Sequence, residues 1–157
     1  MQHLKKNPRF ELFAPQLETR QISEHLKQGG AEAELPPLFE ASYRIAAEAL
    51  ARCAPHVVVG SSFGGALAAM LASREVWAGP LVLLAPAARV EYRLPARHGR
   101  VVVLHGRQDD TVPVEGSLRL ASRSAAEVML WLVDDDHRLT TSLRDGLIDR
   151  AIELAAG

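Results

Sequence analysis

The chain has little cysteine, few aromatic residues and almost no excess of charge of either sign. Its 157 residues include one cysteine, Cys53, and phenylalanine, tryptophan and tyrosine together make up 5%. A single cysteine excludes an internal disulfide framework, and we expect a reducing, cytoplasmic location. The formal net charge of −1 gives no electrostatic reason to expect binding to nucleic acid or to an anionic membrane.

Long apolar runs are also missing. No segment approaches the roughly 18 consecutive apolar residues of a membrane span, and the first six residues lack the apolar core of a signal peptide, so we expect neither. Apolar residues make up 48% of the chain and charged residues 24%, which is typical of a globular protein. The length predicts one domain over residues 1–157.

Short apolar runs alternate with helix-like segments along the chain. The strand-like runs are residues 10–14, 56–60, 81–84, 101–104 and 128–133. Helices are predicted over residues 23–28, 115–122 and 140–155, after the pair Pro36-Pro37, and after residue 62. Apart from Glu11 and His56, the strand-like runs are apolar, which is typical of parallel strands buried on both faces. The sequence therefore predicts an α/β fold with a doubly wound, mostly parallel sheet of about five strands flanked by helices.

A serine stands between two glycines directly after one of these runs. The segment Gly60-Ser61-Ser62-Phe63-Gly64 follows Val57-Val58-Val59 and precedes a helix-like stretch of small residues. A G-x-S-x-G pattern between a strand and a helix is typical of a nucleophile elbow, whose strained turn exposes the serine Oγ above the sheet edge. We expect a Cβ at position 60 or 64 to collide with the neighbouring strand or helix. Ser61 should point into the sheet, where it packs or bonds to the turn.

Two later loops contain the groups that a serine nucleophile requires. A serine hydroxyl needs a histidine to take its proton and a carboxylate to orient that histidine. The loop after residues 101–104 contains Asp109 and Asp110, and the loop after residues 128–133 contains His137. In doubly wound hydrolases these partners follow the serine in the order acid, then histidine, each beyond the carboxyl end of a strand.

The three motifs together resemble the α/β-hydrolase superfamily, and particularly the small bacterial esterases that include the YqiA-like group. The serine segment, extended to Gly65, resembles their G-S-S-x-G-G elbow. The pattern Gly106-x-x-Asp109-x-x-Val112-Pro113 resembles the superfamily's acid loop, and residues 134–137 resemble its histidine loop. The resemblance covers residues 56–157.

This resemblance implies a reaction and a set of roles. The reaction is hydrolysis of small to medium carboxylic esters or thioesters through an acyl-enzyme, with a small-molecule ester as substrate and no cofactor. Ser62 matches the nucleophile, Asp109 the orienting acid and His137 the general base. Asp110 competes with Asp109, but the superfamily spacing favours Asp109 and makes Asp110 a solvated or loop-capping residue.

The oxyanion hole is the incomplete part of the pattern. One donor should be the backbone N–H of Phe63, at the N-terminus of the helix that follows the serine, where the helix dipole assists. The second usually comes from a loop after an earlier strand, and we expect this chain to lack that strand. Leu104-His105-Gly106 imitates the His-Gly signature of such a loop, but it lies on the strand that supplies the acid. A missing strand exposes a sheet edge. Residues 10–14 could pair beside residues 56–60, another protomer could cover the edge, or the sequence could be part of a longer protein; among these we predict a homodimer that protects the edge.

Other interpretations stay open beside the enzymatic one. The carboxylates at 109–110 and 134–136 resemble the oxygen clusters that bind hard cations, but their spacing fits no calcium loop and we expect no metal. His105, at a strand end, is interpreted as a structural residue. An incomplete oxyanion hole costs about 2.7–4 kcal/mol of transition-state stabilisation, so a catalytically weak or inactive hydrolase-fold protein that binds a partner is the alternative.

Overall fold

The structure is a computed structural model that describes residues 8–17, 35–88 and 91–157. Backbone contacts divide the chain into two compact units, Met1–Ala54 and Pro55–Gly157. In the first unit, helix α1 spans Leu35–Cys53 and confirms the helix predicted at the proline pair. A proline is tolerated in the first turn because its missing N–H has no helical partner there.

The prediction of a first strand over residues 10–14 is wrong. Residues 10–14 have no regular secondary structure, because a short apolar run forms a strand only where a neighbouring strand supplies hydrogen-bond partners. The helix predicted over residues 23–28 lies outside the described residues.

The second unit is built on a parallel sheet of four strands. They are β1 (Val58–Ser61), β2 (Leu81–Leu84), β3 (Val101–Gly106) and β4 (Val128–Val133). The strands lie side by side in chain order, and every neighbouring pair is parallel. This confirms the predicted fold class, with four strands among the described residues because residues 10–14 contribute none. The carboxyl ends of all four strands therefore lie at the same edge of the sheet.

Helices connect and cover these strands. They are α2 (Phe63–Ser73), α3 (Glu115–Arg123), α4 (Thr140–Arg144) and α5 (Leu147–Ala156). Helix α2 packs against β1 and β2, α5 against β2 and β3, and α3 against β4. Helix α2 is buried continuously from Gly65 to Ala72, as its all-round apolar sequence requires.

Burial of the strands depends on their position in the sheet. Every residue of β2 and β3 is buried, as the apolar runs 81–84 and 101–104 predict. Strand β4 is half-buried along its length, and β1 is buried only at Gly60. These two strands lie at the edges of the described sheet, where a neighbour is present on one side only.

The predicted C-terminal helix over residues 140–155 is two helices. Helix α4 ends at Arg144 and α5 begins at Leu147. Gly146, between them, has a φ of +74°, a left-handed conformation that glycine adopts without the steric penalty of a Cβ. The apolar periodicity of residues 140–155 does not reveal this glycine as a helix terminator.

Three further expectations concern the whole chain. None of the described helices combines the length and apolarity that a bilayer crossing requires. The single domain and the homodimer stay predictions.

The turn between β1 and α2 leaves no room for a side chain at Gly60. A Cβ there would lie 2.5 Å from the backbone oxygen of Gly64 and 2.8 Å from Cα of Gly65. The same expectation for Gly64 is wrong, because no atom lies within 4 Å of a Cβ built on it. The second crowded glycine is Gly65, whose Cβ would lie 2.8 Å from Cβ of Pro86.

Gly60 and Gly64 make a matched pair of variants. Gly60→Ala should lower the free energy of unfolding by about 1–3 kcal/mol, the usual cost of overpacking, because backbone atoms must move. Gly64→Ala should leave it unchanged or raise it, since alanine is the better helix former. Urea unfolding of both variants measures the difference. Equal midpoints for the two variants would contradict this steric account of the turn.

Candidate active site

Ser62 is held in a strained conformation at the turn between β1 and α2. Its φ is 51° and its ψ is −116°, outside the regions that non-glycine residues favour, at a cost on the order of 1–3 kcal/mol. Its backbone N–H donates to the carbonyl of Leu84 at 2.9 Å, and its carbonyl accepts from Ala87 at 3.1 Å and Ala66 at 3.0 Å. Backbone bonds to β2 and its following loop therefore hold the strained residue in place.

The hydroxyl of Ser62 is not used to cap helix α2. Ser62 is the N-cap residue, yet its side chain makes no capping hydrogen bond, although serine commonly does so at this position. Instead, Ser62 Oγ lies 3.0 Å from Nε2 of His137. The serine that the G-x-S-x-G pattern selects therefore meets the histidine that the third motif selects.

The histidine loop is fixed by a buried carboxylate next to it. Asp135 accepts hydrogen bonds from the backbone N–H of Ser142 at 2.7 Å, from its hydroxyl at 3.0 Å and from the N–H of Asp136 at 3.0 Å. Burial alone would raise the pKa of Asp135, but these bonds outweigh it and lower the pKa below its ordinary value. The loop that contains His137 is thereby tied to the start of helix α4.

The acid loop and the histidine loop are bonded directly to each other. Gln108 donates from its backbone N–H to the carbonyl of Asp135 at 3.1 Å and from its side chain to Asp134 at 2.6 Å. Gly106 permits this approach, because a Cβ there would overlap the carbonyl oxygens of Asp135 and Asp136. Gln108 and Asp134, which are 26 positions apart in the chain, are brought together by these contacts.

Asp109 is buried as a side chain and accepts hydrogen bonds at both oxygens. Oδ1 accepts the backbone N–H groups of Val112 at 2.7 Å and Thr111 at 2.9 Å, and Oδ2 lies 2.8 Å from Nδ1 of His137. Burial would raise the pKa of Asp109, but the bonds from Val112, His137 and Thr111 lower it overall. The carboxylate is therefore charged at neutral pH.

This carboxylate determines which nitrogen of His137 carries the proton. A carboxylate oxygen can only accept, so Nδ1 is protonated and Nε2 is the acceptor for the hydroxyl of Ser62. The side chain of His137 is 20% exposed, whereas that of Asp109 is fully buried. One hydrogen-bonded chain thus runs from a buried charge to a hydroxyl at the sheet edge.

The two neighbouring candidates lie outside this chain of hydrogen bonds. Asp110 is exposed and accepts from the hydroxyl of Thr111 at 3.2 Å, which agrees with the predicted solvated or loop-capping role. Ser61 is exposed, so the expectation that it points into the sheet is wrong. Its exposure follows from its place at the end of β1, an edge strand of the described sheet.

Phe63 is the first residue of helix α2, as the sequence predicts. Its backbone N–H therefore belongs to the positive end of the helix dipole, directly after Ser62. The residue that sequence reasoning underrated is His105. Its Nε2 lies 3.2 Å from Oδ2 of Asp109, and both side chains are fully buried. The signal was its spacing of four residues from Asp109 at the end of an apolar strand.

Metal ligation has no support in the described ranges. Across residues 8–17, 35–88 and 91–157, no three histidine, cysteine, aspartate or glutamate side chains are grouped so that they could hold a metal ion.

Comparison with solved structures relates this chain to α/β hydrolases. Alpha/beta hydrolase domain-containing protein 10 from mouse has a TM-score of 0.59 and 18% identity, over 86% of this chain and 84% of its own. The carboxylesterase of Bacillus cereus has a TM-score of 0.54 and 21% identity, over 78% of this chain and 64% of its own. The chain therefore spans less than two thirds of that carboxylesterase.

A third neighbour has higher sequence identity. A Xanthomonas campestris protein assigned to the alpha/beta hydrolase superfamily is 30% identical, with a TM-score of 0.51, over 78% of this chain and 66% of its own. No family model matches the chain, and no curated protein sequence matches it. The similarity to solved structures shows that the chain has the α/β-hydrolase fold.

The lowered pKa values predict loss of stability in acid. Asp109 and Asp135 have ordinary pKa values of 3.8 and lower values when folded. Their contribution is therefore fully present above pH 3.8 and is lost as the pH falls through the folded values. Asp135→Asn should reduce this acid-dependent loss. Urea unfolding at about pH 7 and about pH 3 measures it.

Asp110→Asn is the matched control, because it removes an exposed carboxylate from the same end of the sheet. It should leave the difference in unfolding free energy between the two pH values as in the unsubstituted protein. If Asp135→Asn leaves that difference unchanged as well, the hydrogen bonds of Asp135 do not stabilise its charged form.

Proposed function

We propose that this protein is a serine hydrolase of the carboxylesterase type, which cleaves small to medium carboxylic esters or thioesters through an acyl-enzyme. The observation that carries the proposal is the hydrogen-bonded chain from Ser62 through His137 to Asp109, with distances of 3.0 and 2.8 Å. A hydroxyl, an imidazole and a buried carboxylate in this order are the groups that acyl transfer requires.

Acylation begins with transfer of the Ser62 proton to Nε2 of His137. As that proton leaves, Oγ attacks the substrate's carbonyl carbon and the carbonyl oxygen becomes an oxyanion. Asp109 keeps Nδ1 protonated and stabilises the imidazolium that forms. His137 then returns the proton to the departing alcohol or thiol, and the acyl group stays on Ser62 as an ester.

Deacylation repeats these steps with water. His137 takes a proton from a water molecule, whose oxygen attacks the acyl carbon, and the proton then returns to Oγ as the carboxylic acid leaves. The backbone N–H of Phe63 is the donor that we assign to the oxyanion in both tetrahedral intermediates. Its position at the start of α2 supports this assignment, because the positive end of a helix dipole stabilises negative charge.

The choice of esters and thioesters depends on the resemblance of the three motifs to small bacterial esterases and on the structural neighbours. One neighbour is a carboxylesterase, and another is the esterase domain of a Rhodothermus marinus protein, with 18% identity and a TM-score of 0.53. The mechanism itself needs only an acyl carbon with a leaving group that accepts a proton.

Ser62→Ala should abolish esterase activity because it removes the attacking oxygen. Ser61→Ala is the matched control: it removes a hydroxyl one residue away that is exposed at the end of β1. Hydrolysis of a short p-nitrophenyl ester and labelling by a fluorophosphonate, located by peptide mass spectrometry, measure both variants. The Ser61 variant should retain both signals and the Ser62 variant should lose both. An unsubstituted protein that neither turns over the ester nor labels at Ser62 would exclude this function and favour a binding protein with a hydrolase fold.

Asp109→Asn should lower kcat by about 10⁴-fold, because an amide no longer enforces protonation of His137 at Nδ1. Asp110→Asn changes the neighbouring carboxylate, which is exposed, and should leave kcat within a few-fold of the unsubstituted value. Steady-state kinetics on the same ester separates the two. A larger loss in the Asp110 variant would reassign the acid.

A further inference from the structure

His105 is a fully buried histidine at the carboxyl end of β3. Its Nδ1 lies 2.7 Å from the hydroxyl of Ser117 on α3, and its Nε2 lies 2.9 Å from the carbonyl of Val112. The same Nε2 is 3.2 Å from Oδ2 of Asp109. Polar atoms therefore surround both ring nitrogens, which is the condition for burying an imidazole at low cost.

These partners determine the protonation of the ring. A carbonyl oxygen and a carboxylate oxygen can only accept, so the proton of the neutral ring must be on Nε2. Nδ1 is then an acceptor, and the hydroxyl of Ser117 donates to it. The N–H of His105 consequently points toward the acid loop.

Through this N–H, His105 acts on both oxygens of Asp109. Its hydrogen bond holds the carbonyl of Val112, and the N–H of that residue donates to Oδ1 of Asp109 at 2.7 Å. Its positive end also lies beside Oδ2, the oxygen that bonds to His137. Two imidazoles therefore lie beside one carboxylate oxygen: His137 is hydrogen-bonded to it at 2.8 Å, and the buried His105 is 3.2 Å away while hydrogen-bonded to Val112.

We infer that His105 is a positioning residue for the reaction. By donating from Nε2, it orients the Asp109 carboxylate and, through that carboxylate, His137. The inference rests on the proposed function. His105 contacts neither Ser62 nor any group assigned to bind substrate, so its loss should lower kcat and leave KM nearly unchanged. A residue that only ties β3 to α3 would change stability without changing the hydrogen bond between His137 and Asp109.

Two amide substitutions separate these roles. His105→Gln places an amide nitrogen at the reach of Nε2 and can still donate toward Val112 and Asp109. His105→Asn reaches only as far as Nδ1, so it can meet Ser117 but leaves the Val112 carbonyl, and Oδ2 of Asp109 beside it, without this donor. Both variants lose the imidazole ring and its packing, but only His105→Gln keeps a donor at the position of Nε2.

The measurements are steady-state kinetics on a p-nitrophenyl ester and the low-field proton resonance of the bond between His137 and Asp109. His105→Asn should lower kcat by about 10²-fold, the scale of a misplaced catalytic group, and should shift or broaden the low-field resonance. His105→Gln should recover most of both signals. Equal kcat and unchanged resonances in the two variants, whatever their melting temperatures, would overturn the inference.

A second measurement needs no variant. In protein labelled with ¹⁵N-histidine, the couplings of the His105 ring should report a proton on Nε2. A proton found on Nδ1 alone would overturn the inference even if the Asn variant does not fold. If the unsubstituted protein is not labelled at Ser62, the proposed function fails, whereas the ring proton and the low-field resonance still test the positioning by themselves.

Discussion

A carboxylate removed from water must be compensated by hydrogen-bond donors, or it takes up a proton. Asp109 meets this condition through two backbone N–H groups on one oxygen and His137 on the other, with His105 at 3.2 Å. The negative charge of Asp109 determines how the other groups of the site are arranged. It selects the tautomer of His137, and that tautomer directs a vacant nitrogen lone pair toward Ser62.

The sheet supplies the frame on which this charge acts. Because the four strands are parallel, the loops that follow β1, β3 and β4 all emerge at one edge. Direct bonds from Gln108 to Asp134 and Asp135 then fix the acid loop against the histidine loop. In the turn after β1, hydrogen bonds to Leu84 and Ala87 hold the backbone of Ser62 in its strained conformation. These hydrogen bonds thus pre-organise the side chains of Ser62, Asp109 and His137. Acyl transfer is efficient only when the reacting groups are held in place in this way.

Sequence reasoning failed where local pattern and tertiary environment diverge. Residues 10–14 have the composition of a strand, but no neighbouring strand pairs with them among the described residues. Gly64 shares a motif with Gly60, yet only Gly60 lies against backbone, because crowding depends on the path of the turning chain. The helix over residues 140–155 is interrupted by Gly146, whose left-handed conformation outweighs the apolar periodicity around it. The sequence predicts a structural role for His105 and does not reveal its closeness to Asp109, because that closeness depends on how the acid loop folds back.

The sequence by itself determined the α/β fold and the order of the three loops, and it singled out a serine, an acid and a histidine that lie within hydrogen-bond distance of one another. These follow from local signals: uniformly apolar strands, a G-x-S-x-G turn and polar residues just beyond strand ends. Only the tertiary structure decided which donors surround Asp109, which glycine is crowded and how His105 meets the carboxylate. These depend on distances of about 3 Å between residues far apart in the chain, at the scale on which a hydrogen bond forms or fails. The number of residues between two side chains does not determine that distance. Neighbouring parallel strands are joined by long connecting segments, and the packing of those segments determines where each loop lies.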